Sequence, residues 1–597
     1  MQNLILEPLK YYVQHAKGSH ERNIDEYFTS LVEKSKIDVQ ENRKTAELFR
    51  KQDKIASKTK DKISKFKGLK TFLIILSVLS VIALLVGIFA LTDTAQIVTI
   101  IVSVLLLIFS ILFIVLKLNK EIKNFEEIYK KQRQIADETY RKALSQMQPL
   151  NALFSENDTF NLIEKVVPNL KFNKEYSVEL DQNFRNNYDF ESDTNDDTRS
   201  VVNTVSGNYN KNPFLFYRHL NHYMSTKTYT GTRVITWRER VSDGKGGTRT
   251  ITRSQTLVAT VTKPFPMYAY ATALNYGHQT APDLSFSRRY KHAEDWSENK
   301  VERHIRKGKK KLRKKAEKTI GQEKQFTEMA NSEFDTLFGA TDRDHEVQFR
   351  VMFSPLAQIN MVNLMRSEDG YGDDFSFVKN GKHNYIVTEH SQNWDMDTSP
   401  QKYYSYDIDL AKKQFSDINS QYFKSMYFDL APIFAIPAYH EQPNSVFEKY
   451  QKTKNNYTEY EYEILANVIG ADKFMHPMSR TQSILKAEFL YSKNDTDCVQ
   501  VTAHSFTSEP RVDIVPLFGG DGRLHNVPVR WDEYIPVVNT RIMVVKKLGL
   551  DGLTFDSKRT SMDARLFDTP YGYYHGLFAR ILGNDDVEYI DNALNKI

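Results

Sequence analysis

Two uncharged apolar runs stand out along the chain. Thr71 to Leu91 reads TFLIILSVLSVIALLVGIFAL, and Ile97 to Leu116 reads IVTIIVSVLLLIFSILFIVL. Each is about as long as the ~20 residues that carry a helix across ~30 Å of hydrocarbon. Only TDTAQ lies between them, so the two helices are expected to be adjacent and antiparallel. The competing reading, a hairpin buried in a soluble core, fits poorly with two successive runs free of charge. On either side the apolar period changes. Ile24, Tyr27, Phe28, Leu31, Val32, Leu48, Phe49, Ile55, Ile63 and Phe66 precede the runs, and Ile122, Phe125, Ile128, Ile135, Tyr140, Leu144 and Met147 follow them. Spacings of three, four and seven describe one apolar stripe on each of two polar helical arms, which pair most economically as a short antiparallel coiled coil. Ser19 is placed to cap the first arm and Pro149 to end the second.

Charge sets the expected orientation. Lys51, Lys54, Lys58, Lys60, Lys62, Lys65, Lys67 and Lys70 precede the first run. Lys117, Lys120, Lys123, Lys130, Lys131 and Arg133 follow the second, and the connection holds only Asp93. An excess of Lys and Arg on both flanks places both chain ends, and everything after residue 117, in the cytoplasm. The N-terminus, MQNLILEPLKYYVQ, lacks the basic and long apolar regions of a signal peptide and carries no lipidation motif. Cys498 is the only cysteine, which suits a reducing compartment. No ionisable group interrupts either run, so a transporter or pore reading lacks an ion path, although Ser77, Ser80, Ser103 and Ser110 are suited to helix contacts.

At 597 residues the chain exceeds what one core can hold. Residues 181–205 are polar and read as a loop; Asp193, Asn195 and Asp197 alternate as at the start of a calcium loop, without the glycine and distal glutamate such a loop needs. Residues 227–241 and 248–263 are rich in Thr, Val and Ile and are joined by SDGKGG, which predicts a β-hairpin. A second β-type stretch is expected over 346–390, with FSFVKNGKHNYIVTE as strand, Asn-Gly turn and strand. Residues 421–467 look helical. Short strands are expected after residue 486, around ILKAEFLYS, CVQVTAHSF, RVDIVPLF and RIMVVKK.

A lysine-flanked apolar hairpin, a β-rich stretch, SEFDTLFGATDRDHEVQFRVMFSPLAQINMVNLM at 332–365 and then FSFVKNGKHNYIV follow one another. This order resembles an uncharacterised bacterial family of membrane-anchored proteins, the domain of unknown function numbered three-one-three-seven. Phe334, Phe338, Asp344, Glu346, Phe349, Pro355, Leu364, Phe375, Phe377, Tyr385 and Val387 carry the resemblance, over roughly residues 120–395. It implies a bacterial membrane protein facing the cytoplasm, with a LemA-type membrane protein as a possible partner, and supplies no catalytic residues.

The strongest local signal in the polar part is RHIRKGKKKLRKKAEK at 303–318. Arg306, Lys307, Lys309, Lys310, Lys311, Arg313, Lys314, Lys315 and Lys318 form a candidate contact for anionic lipid, since each basic group near such a surface contributes about 1 kcal/mol. A solvated helix without a fixed partner is the plain alternative. Nucleic acid is disfavoured because the run has no aromatic side chain to stack on bases. Gly519 to Gly522 (GGDG) resembles a nucleotide loop, but Arg523 and the prolines of VPVRWDEYIPV cannot supply the helix that should follow, which leaves a tight turn. His440, His476, His504 and His525 show no ligand spacing, Ser505 beside His504 with Asp513 is ordinary scatter, and no nucleophile elbow occurs. No catalytic, cofactor or metal residue is assigned.

The expected fold class is α+β: a two-helix transmembrane hairpin on coiled-coil-like arms, followed by mostly antiparallel β-rich cytoplasmic domains. The expected divisions are an N-terminal arm (1–68), the hairpin (69–117), a return arm (118–150), an α+β domain (151–420) carrying the basic segment, and a C-terminal α+β domain (421–597). The expected function is that of a membrane-anchored scaffold or interaction protein at the inner leaflet, with membrane lipids and proteins as partners and self-association through the arms. An enzyme working at the membrane surface from residues 420–597, and an oligomeric pore or transporter component, are the alternatives.

Overall fold

The computed structural model describes residues 4–89, 93–173, 176–191, 196–242, 247–321, 325–442, 456–493, 495–548 and 569–582. It is a mixture of helix and antiparallel sheet in two compact units. One unit comprises residues 22–156 and 399–419; the other comprises 1–21, 157–398 and 420–597.

The smaller unit is helical. Helix α1 (Lys17–Ser35) is followed by α2 (Val39–Phe89), which runs without interruption from the lysine-rich stretch into the first apolar run. A single helix was expected from His20 to Gly68; instead the chain breaks at Lys36, whose φ is +53°, and Asp38 caps the new start through the Glu41 N–H. Neither Gly nor Pro marks that break. Ser19 lies inside α1, not at its cap.

Helices α3 (Asp93–Phe113) and α4 (Asn119–Asn151) are joined by a π-helical turn over Ile114–Leu118. Burial on α2 recurs at Asn42, Ala56, Thr59, Ile63, Leu73 and Ser80, and on α3–α4 at Ser103, Ser110, Leu118, Ile122, Ala136, Ala143 and Leu150. From Ser110 through the half-buried Ile114 to Leu118 and Ile122 the steps are four residues each, so the extra residue of the π turn re-phases the stripe. The two runs touch through Phe66 on Phe125, Thr59 on Gln132 (2.8 Å), and the ion pairs Asp53–Arg133 (2.8 Å) and Lys67–Glu126 (2.7 Å). Residues 403–412 close the far end: Phe49, Tyr140 and Tyr406 form an aromatic trio, and Arg43 and Arg50 pair with Asp409 and Asp407.

The larger unit is built on two antiparallel sheets. The first has the order β1-β2-β3-β4-β7-β6-β5, from Leu170–Phe172 (β1), Arg199–Tyr209 (β2), Asn212–Ser242 (β3), Thr248–Gly277 (β4), Ser285–Arg288 (β5), Phe375–Asn380 (β6) and His383–Thr388 (β7). Both predicted hairpins are present. β3 and β4 pair in unbroken register from Phe214–Tyr276 to Ser242–Thr248, and Gly381, at φ +58°, opens the two-residue turn between β6 and β7. The region read as a loop over 181–205 begins as helix α5 (Val178–Tyr188), capped by Ser177, and ends in β2. Asp193 and Asn195 of the calcium-like alternation lie outside the described residues. The β-type stretch expected from 346 starts as helix over Glu346–Met352 and Pro355–Arg366; its strands begin only at Phe375.

The second sheet has the order β11-β12-β10-β9-β8, from Ile484–Lys493 (β8), Thr496–Phe518 (β9), Leu524–Lys547 (β10), Tyr571–Tyr574 (β11) and Leu577–Ile581 (β12). In place of several short strands there are three long ones, and β9 and β10 run straight through Pro510, Pro516, Pro528 and Pro536. All four prolines fall on rungs of one parity (Pro510 opposite Asp532, Pro516 opposite Asn526, Pro528 opposite Ile514, Pro536 opposite Phe506). There the missing N–H faces away from the ladder partner, so no ladder bond is lost, and the outer edges are blocked against further pairing. The free ends of the two ribbons pack face to face: Ile235, Leu257 and Ala259 meet Val527 and Val529, and a Cβ on Gly231 would lie 2.2 Å from the Pro528 carbonyl oxygen.

The main core gathers Phe334, Phe338, Phe349, Phe353 and Phe377 with Tyr422, Met426, Phe434 and Tyr439. The division expected at residue 420 therefore falls inside a helix, Ile408–Phe434, whose second half is part of that core. The helix over Glu459–Ile469 lies between the sheets, giving Tyr460 and Ile464 to the first and Tyr462, Leu465 and Ala466 to the second.

Candidate functional site

Three features carry chemistry. The first is the pair of apolar helices. Only 11% of the most apolar window of each is buried, so the other described residues do not enclose either as a core helix. Phe72, Ile75, Leu79, Ile82, Leu105 and Phe109 are exposed, while Ser80, Ser103 and Ser110 turn inward. Ser77, Ser80 and Ser110 donate to the carbonyls four residues earlier in their own helices, which satisfies the hydroxyls without an outside partner.

The second is helix α6 (Glu298–Lys318), which contains the whole basic run. Its buried stripe is Val301 and Leu312, with Gly308 between them pressed against Thr336 of α7 (Ser332–Phe338), where a Cβ would come within 2.6 Å of the Thr336 methyl. His304 reaches the Thr336 carbonyl at 3.3 Å and stacks near Trp296. The apolar face of α6 is thereby consumed by packing. Of the nine predicted contact residues, Arg306, Lys307, Lys309, Lys310, Lys311, Arg313, Lys314 and Lys318 are exposed. Lys315 is half-buried: it donates to the Thr341 carbonyl and lies 4.8 Å over the Phe326 ring. Arg313 also pairs with Glu317 at 3.4 Å.

The third was invisible in the sequence: two buried charge groups beside β6 and β7. Arg288 and Asp373, both fully buried, form an ion pair; the guanidinium donates to the Phe375 carbonyl (2.5 Å) and lies 3.8 Å over that ring. Burial lowers the Arg288 pKa and raises that of Asp373, each against the pull of the other. Asp373 also accepts the Lys291 N–H, and its own N–H donates to Glu294. Nearby, His390 lies between Asp374 (Nδ1, 2.5 Å) and Asp429 (Nε2, 3.4 Å), stacked flat on Tyr371 at 3.7 Å, and Thr388 donates to Asp429. Burial works against the imidazolium, but the two carboxylates outweigh it and raise the His390 pKa. Burial raises Asp429 to about 6 against the His390 charge. These groups are enclosed and tie Ile408–Phe434 to the β6–β7 hairpin.

The remaining sequence candidates do not converge. Gly519 to Gly522 form the turn between β9 and β10, with Gly522 at φ +72°. His525 pairs with Asp521, His440 contacts the Phe434 carbonyl, His504 faces Asp197 at 3.7 Å, and His476 accepts the Met478 N–H. Ser505 contacts the Val537 carbonyl, and Asp513 is held by Lys263 and Trp531. Among the described residues, His292, Glu294 and Asp295 approach one another as possible metal donors, but Glu294 already accepts the Asp373 N–H and His292 also faces Glu389. A cleft of about 470 Å³, lined by Val202, Leu220, Tyr270, Val468, Met475 and Ser483 among others, has Asp472 as its one carboxylate and no histidine. Comparison with family models, with curated proteins and with solved structures returns no match.

Proposed function

We propose that this chain is a membrane-anchored cytoplasmic scaffold or interaction protein. In this reading α2 and α3 cross the bilayer as a hairpin, and α2 and α4 continue as antiparallel coiled-coil arms. Both chain ends and the β-rich unit lie in the cytoplasm, and the basic face of α6 contacts anionic lipid at the inner leaflet. The observation that carries it is the exposure of two uncharged helices of spanning length, flanked by lysines on both outer sides. The antiparallel contacts from Asp53–Arg133 to Lys67–Glu126 support the arms. Helix α6 supports the lipid contact in a specific way: its apolar stripe is spent on α7, so its attraction to lipid is electrostatic, without insertion. The family resemblance, with a LemA-type protein as partner, belongs to the same proposal.

Two single-cysteine variants in a Cys498→Ser background test the reading. In intact cells a membrane-impermeant maleimide should label Ala95→Cys, between the two apolar runs, and leave Lys307→Cys on α6 unlabelled until lysis. Lys307→Cys labelling in intact cells would overturn the orientation. The same Lys307→Cys, carrying an environment-sensitive dye in nanodiscs, should respond when phosphatidylglycerol replaces neutral lipid and lose that response in high salt. A dye indifferent to lipid charge would remove α6 from the proposal.

A further inference from the structure

The helical arms present an apolar stripe that nothing among the described residues covers. Seven-residue spacing on α2 runs Glu41, Leu48, Ile55, Lys62, Leu69, each one residue before a seam position such as Asn42, Phe49, Ala56 or Ile63. On α4 the equivalent row is Glu121, Ile128, Ile135, Lys142, each one residue before Ile122, Tyr129, Ala136 or Ala143. In an antiparallel helix pair, the positions preceding the seam on both helices line the same flank. The Glu41–Lys142 ion pair (3.4 Å) joins these two rows directly. Seven-residue steps from it bring Leu48, Ile55, Ile128 and Ile135 onto that flank, ahead of Lys62 and Glu121. Leu48 is 50% exposed, Ile55 52%, Ile135 52% and Ile128 37%. The opposite flank is closed by ion pairs, Asp53–Arg133 and Lys67–Glu126, and carries no such stripe.

We propose that this flank docks a second copy of the chain, giving a four-helix assembly along the arms. The proposal rests on the anchored-arm reading above. Three observations favour a second copy. The stripe has the seven-residue period that only another helix of the same period can follow over several turns. Copies inserted alike in one bilayer are related by an axis along the arms, which sets α2 of one against α4 of the other, antiparallel as within each copy. The borders of the stripe are also complementary. Glu41 and Lys62 bound it on α2, level with Lys142 and Glu121 on α4, so opposite charges stand at each end. Rotation about that axis sets Glu41 and Lys62 of each copy against Lys142 and Glu121 of the other.

The test is the oligomeric state of the full chain, by sedimentation in mild detergent and by photobleaching step counts in vesicles. The chain should be dimeric. Ile55→Glu with Ile135→Glu should raise the dissociation constant at least tenfold while helical circular dichroism stays unchanged. Arg133→Gln, on the opposite flank, should leave the dimer intact. A wild-type monomer at all concentrations, or a dimer that survives Ile55→Glu with Ile135→Glu, would overturn the proposal. Alkaline extraction of membranes reads the anchor separately: release of the chain refutes the membrane reading whatever the oligomeric state.

Discussion

Replacing Asp373 by leucine removes the carboxylate bonded to the buried Arg288 guanidinium and leaves only the weaker pull of Asp374 and Glu294. Both side chains of this pair are fully buried, so solvent does not screen the loss. Arg288 would keep the Phe375 carbonyl and the faces of the Phe375 and Phe338 rings. Breaking a buried pair from one side costs about 3–5 kcal/mol, because the remaining charge has been taken from water without repayment. Arg288→Met leaves Asp373 with the Lys291 N–H alone and should cost a similar amount. Combining Arg288→Met with Asp373→Leu removes both charges from an aromatic surround and should recover most of the loss. The residue of the cost is the orphaned Lys291 N–H, about 1–3 kcal/mol. Hydrogen exchange at the β5 and β6 amides reads the effect locally: protection should fall by roughly two to four orders of magnitude in either single variant, at about 1.4 kcal/mol per tenfold. Single variants that change protection less than tenfold, or a double variant no better than either single one, would refute the reasoning.

Other expectations follow from the same geometry. The His390 group should make the β6–β7 region less stable as pH rises: Asp429, raised to about 6, holds a proton that the unfolded chain has already lost, so stability falls between about pH 4 and 6. The raised His390 pKa adds stability that is complete below about pH 6.5 and is lost as pH climbs through the folded value; His390→Ala combined with Asp429→Asn, which removes both titrating groups, should flatten the pH dependence of β7 protection measured by exchange. Gly231→Val should drive the β3–β4 ribbon off β10, since its first side-chain atom would lie 2.2 Å from the Pro528 carbonyl oxygen; overpacking costs about 1–3 kcal/mol and should show as protease cleavage in the ribbons. Gly308→Leu should lift α6 from Thr336 and speed proteolysis after its lysines, with Gly308→Ala intermediate. The Cys498 thiol, buried and with its pKa raised by that burial, should react with maleimide far faster in denaturant than in the folded chain.

Much of the architecture could be read from short stretches of sequence because its causes are short-ranged. The two long apolar helical stretches follow from composition over about twenty residues. The arms follow from spacings within one helix, and the two hairpins from alternation plus turn residues, so Gly381 was legible beside Asn380. Helix α6 itself announces its exposed charge, since nine basic residues in thirteen cannot all be buried.

What escaped that reading depends on partners distant in sequence. The expected short strands merge into long ones through four prolines, each of which lands on a rung where no bond is asked of it, a property set by register across the ribbon. The break at Lys36 has no glycine or proline to mark it, and Asp38 caps because of local geometry that many aspartates never adopt. Glu459–Ile469 serves two cores at once, and half of Ile408–Phe434 belongs to a core whose other residues lie up to hundreds of positions earlier. No local pattern sets Arg288, Asp373, Asp374, His390 and Asp429 apart from other charged residues. Only the approach of β5, β6, β7 and a distant helix removes water from them, and desolvation, which no local pattern encodes, makes those five residues matter.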